Sequence, residues 1–210
     1  MERLLYTVAR GLIAFLQALP LRWVARLGRA AGRLALLLDA RHRRVARANL
    51  RRCFPEKSEA EIRALLGEHF RRLGENYACA VKTAAMSPEQ LRPHLEFRGP
   101  AWLDEPAGDT PPQSLVGAIG HFGNFELYAH AARRWPAYRM ASTYRGLPQP
   151  SLNRLLMDLR SRSGCLFFER RSEGAALRRA MLQPGIILGL LCDQDGGDRG
   201  LQLPFFGHNC

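Results

Sequence analysis

A histidine and a glutamate five residues apart could carry out acid–base chemistry in this sequence. The segment Gly120-His121-Phe122-Gly123-Asn124-Phe125-Glu126 directly follows the apolar run 114–120. We therefore expect His121 at the carboxyl end of a strand and Glu126 in the first turn of the next helix. A histidine accepts a proton from an attacking hydroxyl best when a carboxylate holds its other ring nitrogen. The spacing makes His121 a candidate general base and Glu126 its orienting group.

The two side chains can meet only if the chain bends between them. On a continuous helix they would point about 140° apart. Gly123 tolerates a positive φ angle, and Asn124 suits the N-cap of the helix that follows. We therefore expect a bend at these two residues that brings the carboxylate back toward the imidazole. A histidine and a glutamate at this spacing occur often by chance. The spacing therefore indicates a catalytic pair only if the neighbouring sequence also predicts a site.

The elements around this pair alternate between strands and helices. We predict strands at 114–120, 138–144, 165–168 and 186–192, and helices at 125–135, 151–163 and 173–182. This alternation predicts an α/β fold with a largely parallel sheet flanked by helices. Reactive groups are expected at the carboxyl ends of the strands. Upstream, Ser58 and Glu61 form a capping box that opens a long amphipathic helix to about Ala85.

The N-terminal residues have the character of a membrane-associated helical segment. The longest uncharged apolar stretch, 11–21, is too short to span a bilayer. The next residues place four arginines at spacings of four, three and four on one helical face: Arg22, Arg26, Arg29 and Arg33. A basic amphipathic helix suits an anionic bilayer surface. A signal peptide and an ordinary helix packed on the domain are the alternatives.

These observations divide the chain into three regions. Residues 1–40 are predicted to be a membrane-anchoring helical segment. Residues 41–94 are predicted to be a helical region that packs on the core. Residues 95–210 are predicted to form the α/β core.

The composition favours anionic partners. The chain has 31 Lys+Arg and 19 Asp+Glu, a formal net charge of +12, which attracts nucleic acid, anionic membranes or acidic proteins. A bias in codon usage is an alternative source of the many arginines, since only Lys57 and Lys82 are lysines. No helix-turn-helix, zinc spacing or aromatic RNA platform is present in the sequence. A non-catalytic basic protein that binds membranes or nucleic acid remains the alternative from another class.

The segment around His121 also resembles a known family. Residues 120–127, GHFGNFEL, resemble the H-x4-[DE] block of the lysophospholipid acyltransferase superfamily, and most closely that of the lipid A biosynthesis lauroyl/myristoyl acyltransferases. Later segments resemble further blocks of that family in order and approximate spacing. They are Tyr144-Arg145, Leu159-Arg160 ahead of Gly164, Asp193-Gln194-Asp195, Gly200 and Pro204-Phe205-Phe206-Gly207.

The resemblance implies an acyltransferase that works on a lipid. The donor would be an acyl-acyl-carrier-protein thioester, and the acceptor an acylated, phosphorylated glucosamine lipid at the cytoplasmic face of a bacterial inner membrane. No metal or cofactor is implied. His121 and Glu126 would be catalytic, and the candidate substrate contacts are Asn124, Arg145, Arg160 and Asp193. The two arginines would hold phosphate groups, because guanidinium offers paired donors.

The resemblance leaves the acceptor partly open. Glycerol-phosphate enzymes of the superfamily usually carry aspartate in the acidic position, so Glu126 argues against that acceptor. Lysophospholipid and mannolipid acceptors remain alternatives. Family members also continue well beyond the block that ends at Gly207, so we expect the core to be C-terminally incomplete.

Overall fold

The computed structural model describes residues 2–96, 98–99, 112–194, 200 and 202–209. The chain forms two compact units, each assembled from two stretches of sequence. One comprises residues 1–18 and 80–192, and the other comprises residues 19–79 and 193–210. The first contains the sheet, and the second is mainly helical.

The sheet of the first unit has four parallel strands in the order β1-β4-β2-β3. Leu115 pairs with Ile187, Arg139 with Ile186, and Ala141 with Leu166. The strands are β1 (Leu115–Ile119), β2 (Arg139–Tyr144), β3 (Leu166–Glu169) and β4 (Ile186–Leu191). Their bounds agree with the predicted strands to within two residues. The predicted α/β fold with a parallel sheet flanked by helices is confirmed.

The helices between the strands help to form the core of this unit. They are α6 (Pro150–Ser161) and α7 (Gly174–Met181), and α1 (Glu2–Ala18) belongs to the same unit. Ala141, Ile186 and Leu188 are fully buried, and Leu177 and Met181 of α7 pack against them. Parallel strands covered by helices favour continuous apolar runs such as 186–191. The strands that lead to the candidate residues therefore belong to a sheet with a packed core.

The element that follows β1 is helical, as predicted. A helix was predicted over 125–135, and the structure has a 3-10 helix at Phe125–Arg133. Its start shows the tighter pattern, because the amide of Leu127 donates to the carbonyl of Asn124 over 3.1 Å. Over nine residues, the spacing of apolar residues does not distinguish a helix of 3.0 residues per turn from one of 3.6. The sequence pattern therefore predicts a helix but not its type.

The second unit is built around two helices that approach closely at glycines. It contains α2 (Leu21–Leu38), α3 (Ala40–Cys53) and most of α4 (Glu59–Thr83). A Cβ on Gly28 would lie 2.6 Å from the carbonyl oxygen of Gly74, and a Cβ on Gly32 would collide with the carbonyl oxygen of Phe70. Only hydrogen fits at these positions, so α2 and α4 pack backbone against backbone.

The capping box predicted for α4 is confirmed. The amide of Ser58 donates to the Glu61 carboxylate over 2.8 Å, and the amide of Glu61 donates to the Ser58 hydroxyl over 3.3 Å. This reciprocal pair satisfies two amides that the first turn leaves without helical partners. Ile62, Leu66 and Phe70 then form a buried stripe. The described residues also include helix α5 (Pro88–Leu91), a 3-10 helix at Arg92–His94, and a strand β5 (Pro204–Phe205) that pairs with β6 (His208–Asn209).

None of the helices in the described ranges is both long and apolar enough to cross a membrane. The association of residues 1–40 with a membrane surface stays a prediction. The functional division of the chain at residues 40 and 94 stays a prediction as well.

Candidate active site

His121 lies just past the carboxyl end of β1. The amide of Cys192 donates to the carbonyl of Ile119 over 3.1 Å, which continues the pairing of β1 with β4 to the last residue of β1. The imidazole then packs edge-on against Phe125, with ring centroids 4.9 Å apart and an interplanar angle of 74°. The ring is partly exposed. This placement at a strand end agrees with the expectation for a reactive group in a parallel sheet.

The bend predicted after His121 is present, but Asn124 plays a different part in it. Gly123 has a φ of +62°, a conformation that residues with a Cβ rarely adopt. Asn124 occupies the N-cap position without a capping hydrogen bond from its side chain. Its Nδ2 instead donates to the hydroxyl of Thr83 over 3.2 Å. Asn124 is therefore the N-cap residue, as predicted, but its side chain joins the bend to Thr83 at the end of α4 and makes no capping bond.

The carboxylate of Glu126 is held by Arg160. The Nε of Arg160 lies 3.0 Å from Oε2 and 3.2 Å from Oε1 of Glu126, and its Nη2 lies 2.5 Å from Oε1. The side chain of Glu126 is only 27% exposed, and that of Arg160 only 17%. Arg160 also stacks over the ring of Phe167, with Cζ 5.4 Å from the centroid. Arg160, in the last turn of α6, thus fixes the carboxylate of Glu126, which lies in the first turn of the 3-10 helix.

A largely apolar cavity opens beside this ion pair. Its volume is about 40 Å³, and Glu126 and Arg160 contribute polar groups to its wall. The apolar wall comes from all four strands and the 3-10 helix and includes Ile119, Phe125, Met140, Phe167 and Leu191. A site of this kind combines an apolar surface with a few polar groups at one place.

Cys165 lies in the wall of the same cavity. Burial of the thiol, together with the nearby charge of Glu126, raises the pKa of Cys165 to about 12. The thiol is therefore protonated at neutral pH. A protonated, desolvated thiol is a poor nucleophile, so Cys165 contributes packing to this wall.

Two further predicted contacts, Arg145 and Asp193, follow the ends of strands in the sequence. Arg145 follows the last residue of β2 directly and is exposed, and no hydrogen bond or ion pair joins it to the described residues. Asp193 follows β4 by two residues in sequence but belongs to the other compact unit. Asp195, which belongs to the same predicted block, lies outside the described residues.

The structure therefore brings together Glu126 and Arg160 among the predicted site residues. The sequence assigned Arg160 to phosphate and Glu126 to His121, and neither residue was predicted as the partner of the other. Since 34 positions separate the two residues, their pairing depends on the crossover geometry. A carboxylate has about four lone-pair positions, so the contact with Arg160 is compatible with a second contact from an imidazole. The pairing of Glu126 with His121 stays a prediction.

Comparison with known proteins identifies the family. The model of the bacterial lipid A biosynthesis acyltransferases matches residues 3–210. The lipid A biosynthesis myristoyltransferase of Escherichia coli (strain K12) is 39% identical over 82 residues, which cover 39% of this chain and 24% of that protein. The lipid A biosynthesis acyltransferase 1 of Shigella flexneri matches with the same identity and coverage. The matched stretch thus spans about a quarter of the length of these relatives. Because the family model covers nearly every residue, the chain belongs to the bacterial lipid A biosynthesis acyltransferase family.

Proposed function

We propose that this protein transfers a fatty acyl group from acyl-acyl-carrier-protein to a hydroxyl of a lipid A precursor. Membership of the family supports acyl transfer, and the names of the relatives support lipid A biosynthesis as the process. The observation that carries the proposal is the fixed carboxylate of Glu126, which begins the helix immediately after the bend that follows His121. Residues 1–40 would hold the protein at the cytoplasmic face of the inner membrane, where such an acceptor is embedded.

The reaction needs one base and one apolar site. The unprotonated nitrogen of His121 takes the proton of the acceptor hydroxyl as the hydroxyl oxygen attacks the thioester carbonyl. Glu126 accepts a hydrogen bond from the other ring nitrogen and stabilises the imidazolium. When the tetrahedral intermediate collapses, the C–S bond breaks and the carrier's thiolate takes the proton from His121. The acyl ester of the acceptor and the free thiol of the carrier are the products.

The other candidate residues would bind the substrates. Arg145 is exposed at the end of β2, where a lipid phosphate could reach it. The Nη1 group of Arg160 is not among the atoms that bind Glu126, so Arg160 could orient Glu126 and also contact a phosphate. We assign Asn124 and Asp193 to contacts with the acceptor. The apolar residues beside Glu126 have the chemistry to contact an acyl chain.

Acyl transfer by the purified full chain, with labelled acyl-acyl-carrier-protein and a lipid A precursor, tests this proposal. We expect His121→Ala and Glu126→Ala to abolish transfer and to leave folding and membrane association intact. A suitable control is His42→Ala, because His42 also pairs with a carboxylate, Asp39, over 2.6 Å but lies outside the site. Near-normal turnover of either site variant would contradict the assigned roles.

Mass spectrometry of lipids identifies the acceptor. A strain that lacks its own enzyme would be complemented with this chain, and its lipids compared with those of the uncomplemented strain. New acylated glucosamine lipids support the proposal. New acylated phospholipids or mannolipids with no change in lipid A would retain the chemistry but replace the acceptor.

A further inference from the structure

The end of α4 contacts the bend that follows His121. The hydroxyl of Thr83, the last residue of α4, accepts a hydrogen bond from Nδ2 of Asn124 over 3.2 Å. Asn124 lies 41 positions later in the sequence and directly follows Gly123, whose φ of +62° forms the bend. The contact therefore joins a helix that the sequence did not link to the site with the segment between the two candidate catalytic residues.

The hydroxyl of Thr83 is well placed to accept this bond. It donates its own hydrogen to the carbonyl oxygen of Ala80, which lies 3.2 Å away within α4. Its lone pairs therefore remain to accept from Asn124. Thr83 is only 5% exposed, so water competes little for either bond. A hydrogen bond in such surroundings is stronger than one at the surface.

The end of α4 is itself bonded to the last turn of α1. The Nζ of Lys82 donates to the carbonyl oxygen of Gln17 over 2.6 Å, and the Nε2 of Gln17 donates to the carbonyl oxygen of Val81 over 3.2 Å. These residues and Asn124 belong to the same compact unit, the one that contains the sheet. Because the two bonds run in opposite directions between the same two turns, they restrict movement of the end of α4. Thr83 is therefore held in a defined position.

The side chain of Asn124 depends on Thr83 for its position. The Oδ1 of Asn124 is buried and has no hydrogen-bond partner among the described residues, whereas its Nδ2 bonds to Thr83. A buried carboxamide oxygen without a partner costs free energy, so Oδ1 does not hold the side chain in this place. The hydroxyl of Thr83 is therefore the group that fixes this side chain and, through it, the bend.

We propose that Thr83 is a positioning residue for the bend that follows His121 and that it acts through Asn124. The bend sets the separation between the imidazole of His121 and the carboxylate of Glu126. Arg160 fixes that carboxylate from α6, and Thr83 fixes the start of the same segment from α4. Proton transfer by a positioned base depends steeply on such separations. The inference rests on the proposed function for the roles of His121 and Glu126.

Two substitutions of Thr83 in the full chain test this proposal. Thr83→Val keeps the shape of the side chain and removes the hydroxyl, whereas Thr83→Ser keeps the hydroxyl. We expect Thr83→Val to lower kcat for acyl transfer by about tenfold and to leave the KM of both substrates nearly unchanged. Thr83→Ser should retain most of the turnover, because its hydroxyl still accepts from Asn124. Rates would be referred to the folded fraction, measured by circular dichroism.

A double-mutant cycle shows whether Thr83 acts through Asn124. In an Asn124→Ala background the bond is already absent, so Thr83→Val should then change kcat by less than about twofold. A full tenfold loss in that background would contradict the route through Asn124. The matched control is Thr7→Val, because the hydroxyl of Thr7 also donates to a carbonyl of its own helix, that of Arg3, over 2.9 Å but is exposed. This variant should keep the kcat of the unaltered chain.

Nuclear magnetic resonance of the chain with isotope-labelled asparagine gives a measurement that needs no turnover. The Nδ2 protons of Asn124, assigned by their loss in Asn124→Ala, should exchange with water about tenfold faster in Thr83→Val than in the unaltered chain or in Thr83→Ser. Unchanged exchange or unchanged kcat in Thr83→Val, or equal losses of kcat in the valine and serine variants, would overturn the proposal. Absence of acyl transfer by the unaltered chain, together with the expected exchange, would contradict the proposed function and still support the fixing of the bend by Thr83.

Discussion

Arg160 and Glu126 form a two-pronged ion pair in which two guanidinium nitrogens bind both carboxylate oxygens. A paired guanidinium fixes the plane of a carboxylate as well as its position. The orientation of Glu126 is therefore set by α6 before any contact with an imidazole or a substrate. Arg160 acts in this arrangement as a positioning residue for the carboxylate.

Replacing Arg160 should impair turnover more than substrate binding. Arg160→Lys keeps the charge but cannot hold two oxygens in one plane. We expect Arg160→Met to lower kcat by about a hundredfold, Arg160→Lys to lower it less, and the KM for the acyl donor to change little. Steady-state kinetics with each substrate varied in turn would measure this. The control is Arg154→Lys, an exposed arginine of the same helix.

The kinetics also separate two roles of Arg160. An arginine that only binds a lipid phosphate would raise the KM for the acceptor and leave kcat intact. That result would contradict the positioning role while leaving acyl transfer itself in place.

The thiol of Cys165 should resist alkylation. Its pKa of about 12 lies well above the ordinary value of 9.0, so the thiol stays protonated at neutral pH and becomes reactive only as the pH rises toward that pKa. At pH 8 roughly one molecule in ten thousand carries the thiolate. We expect iodoacetamide to label the exposed Cys192 well before Cys165, and the rate at Cys165 to rise about tenfold per pH unit.

Peptide mass spectrometry after timed labelling would report both cysteines together. In denaturant the two should react at similar rates, because burial no longer protects Cys165. Comparable labelling of the two thiols in the folded protein at pH 8 would show that Cys165 is not desolvated as described.

The contact between α2 and α4 should not tolerate even one methyl group. A Cβ on Gly32 would meet the backbone oxygen of Phe70, which cannot move without shifting the helix. We expect Gly32→Ala to reduce the free energy of unfolding by about 3 kcal/mol. Urea titration followed by circular dichroism would measure the change.

Gly67 provides the matched control for this prediction. It lies within α4, and a Cβ added there would have no neighbour within 4 Å among the described residues. Gly67→Ala should therefore stabilise the protein by about 0.5–1 kcal/mol, because alanine favours the helix. If both variants lost similar stability, the close approach of α2 and α4 would not be the cause.

The parts of the fold that depend on local pattern could be predicted. The strands β1 to β4 and the helices α6 and α7 follow from short apolar runs between turn residues, and Gly123 follows from the need for a bend. The ion pair of Glu126 and Arg160 could not be found in this way, since it depends on how two crossovers pack.

Helix α2 shows a different limit of the sequence pattern. Its spacing distinguishes an arginine side from an apolar side, and the usual inference is that the apolar side is buried. The structure buries Gly28 and Gly32 instead. Hydrophobicity does not identify glycines as a packing surface, because their contribution comes from close backbone approach.

The strand order also has a consequence for the time at which the candidate site can assemble. In the described part of the chain β1 has one neighbour, β4. The hydroxyl of Ser114, the residue before β1, accepts a hydrogen bond from the amide of Ile186, the first residue of β4, which lies 72 positions later in the sequence. Contacts this distant in sequence close slowly during folding. On the ribosome, the strand that leads to His121 must therefore wait unpaired until β2, β3 and β4 have been synthesised. During that interval its backbone edge and its apolar side chains are open to chaperones or to aggregation.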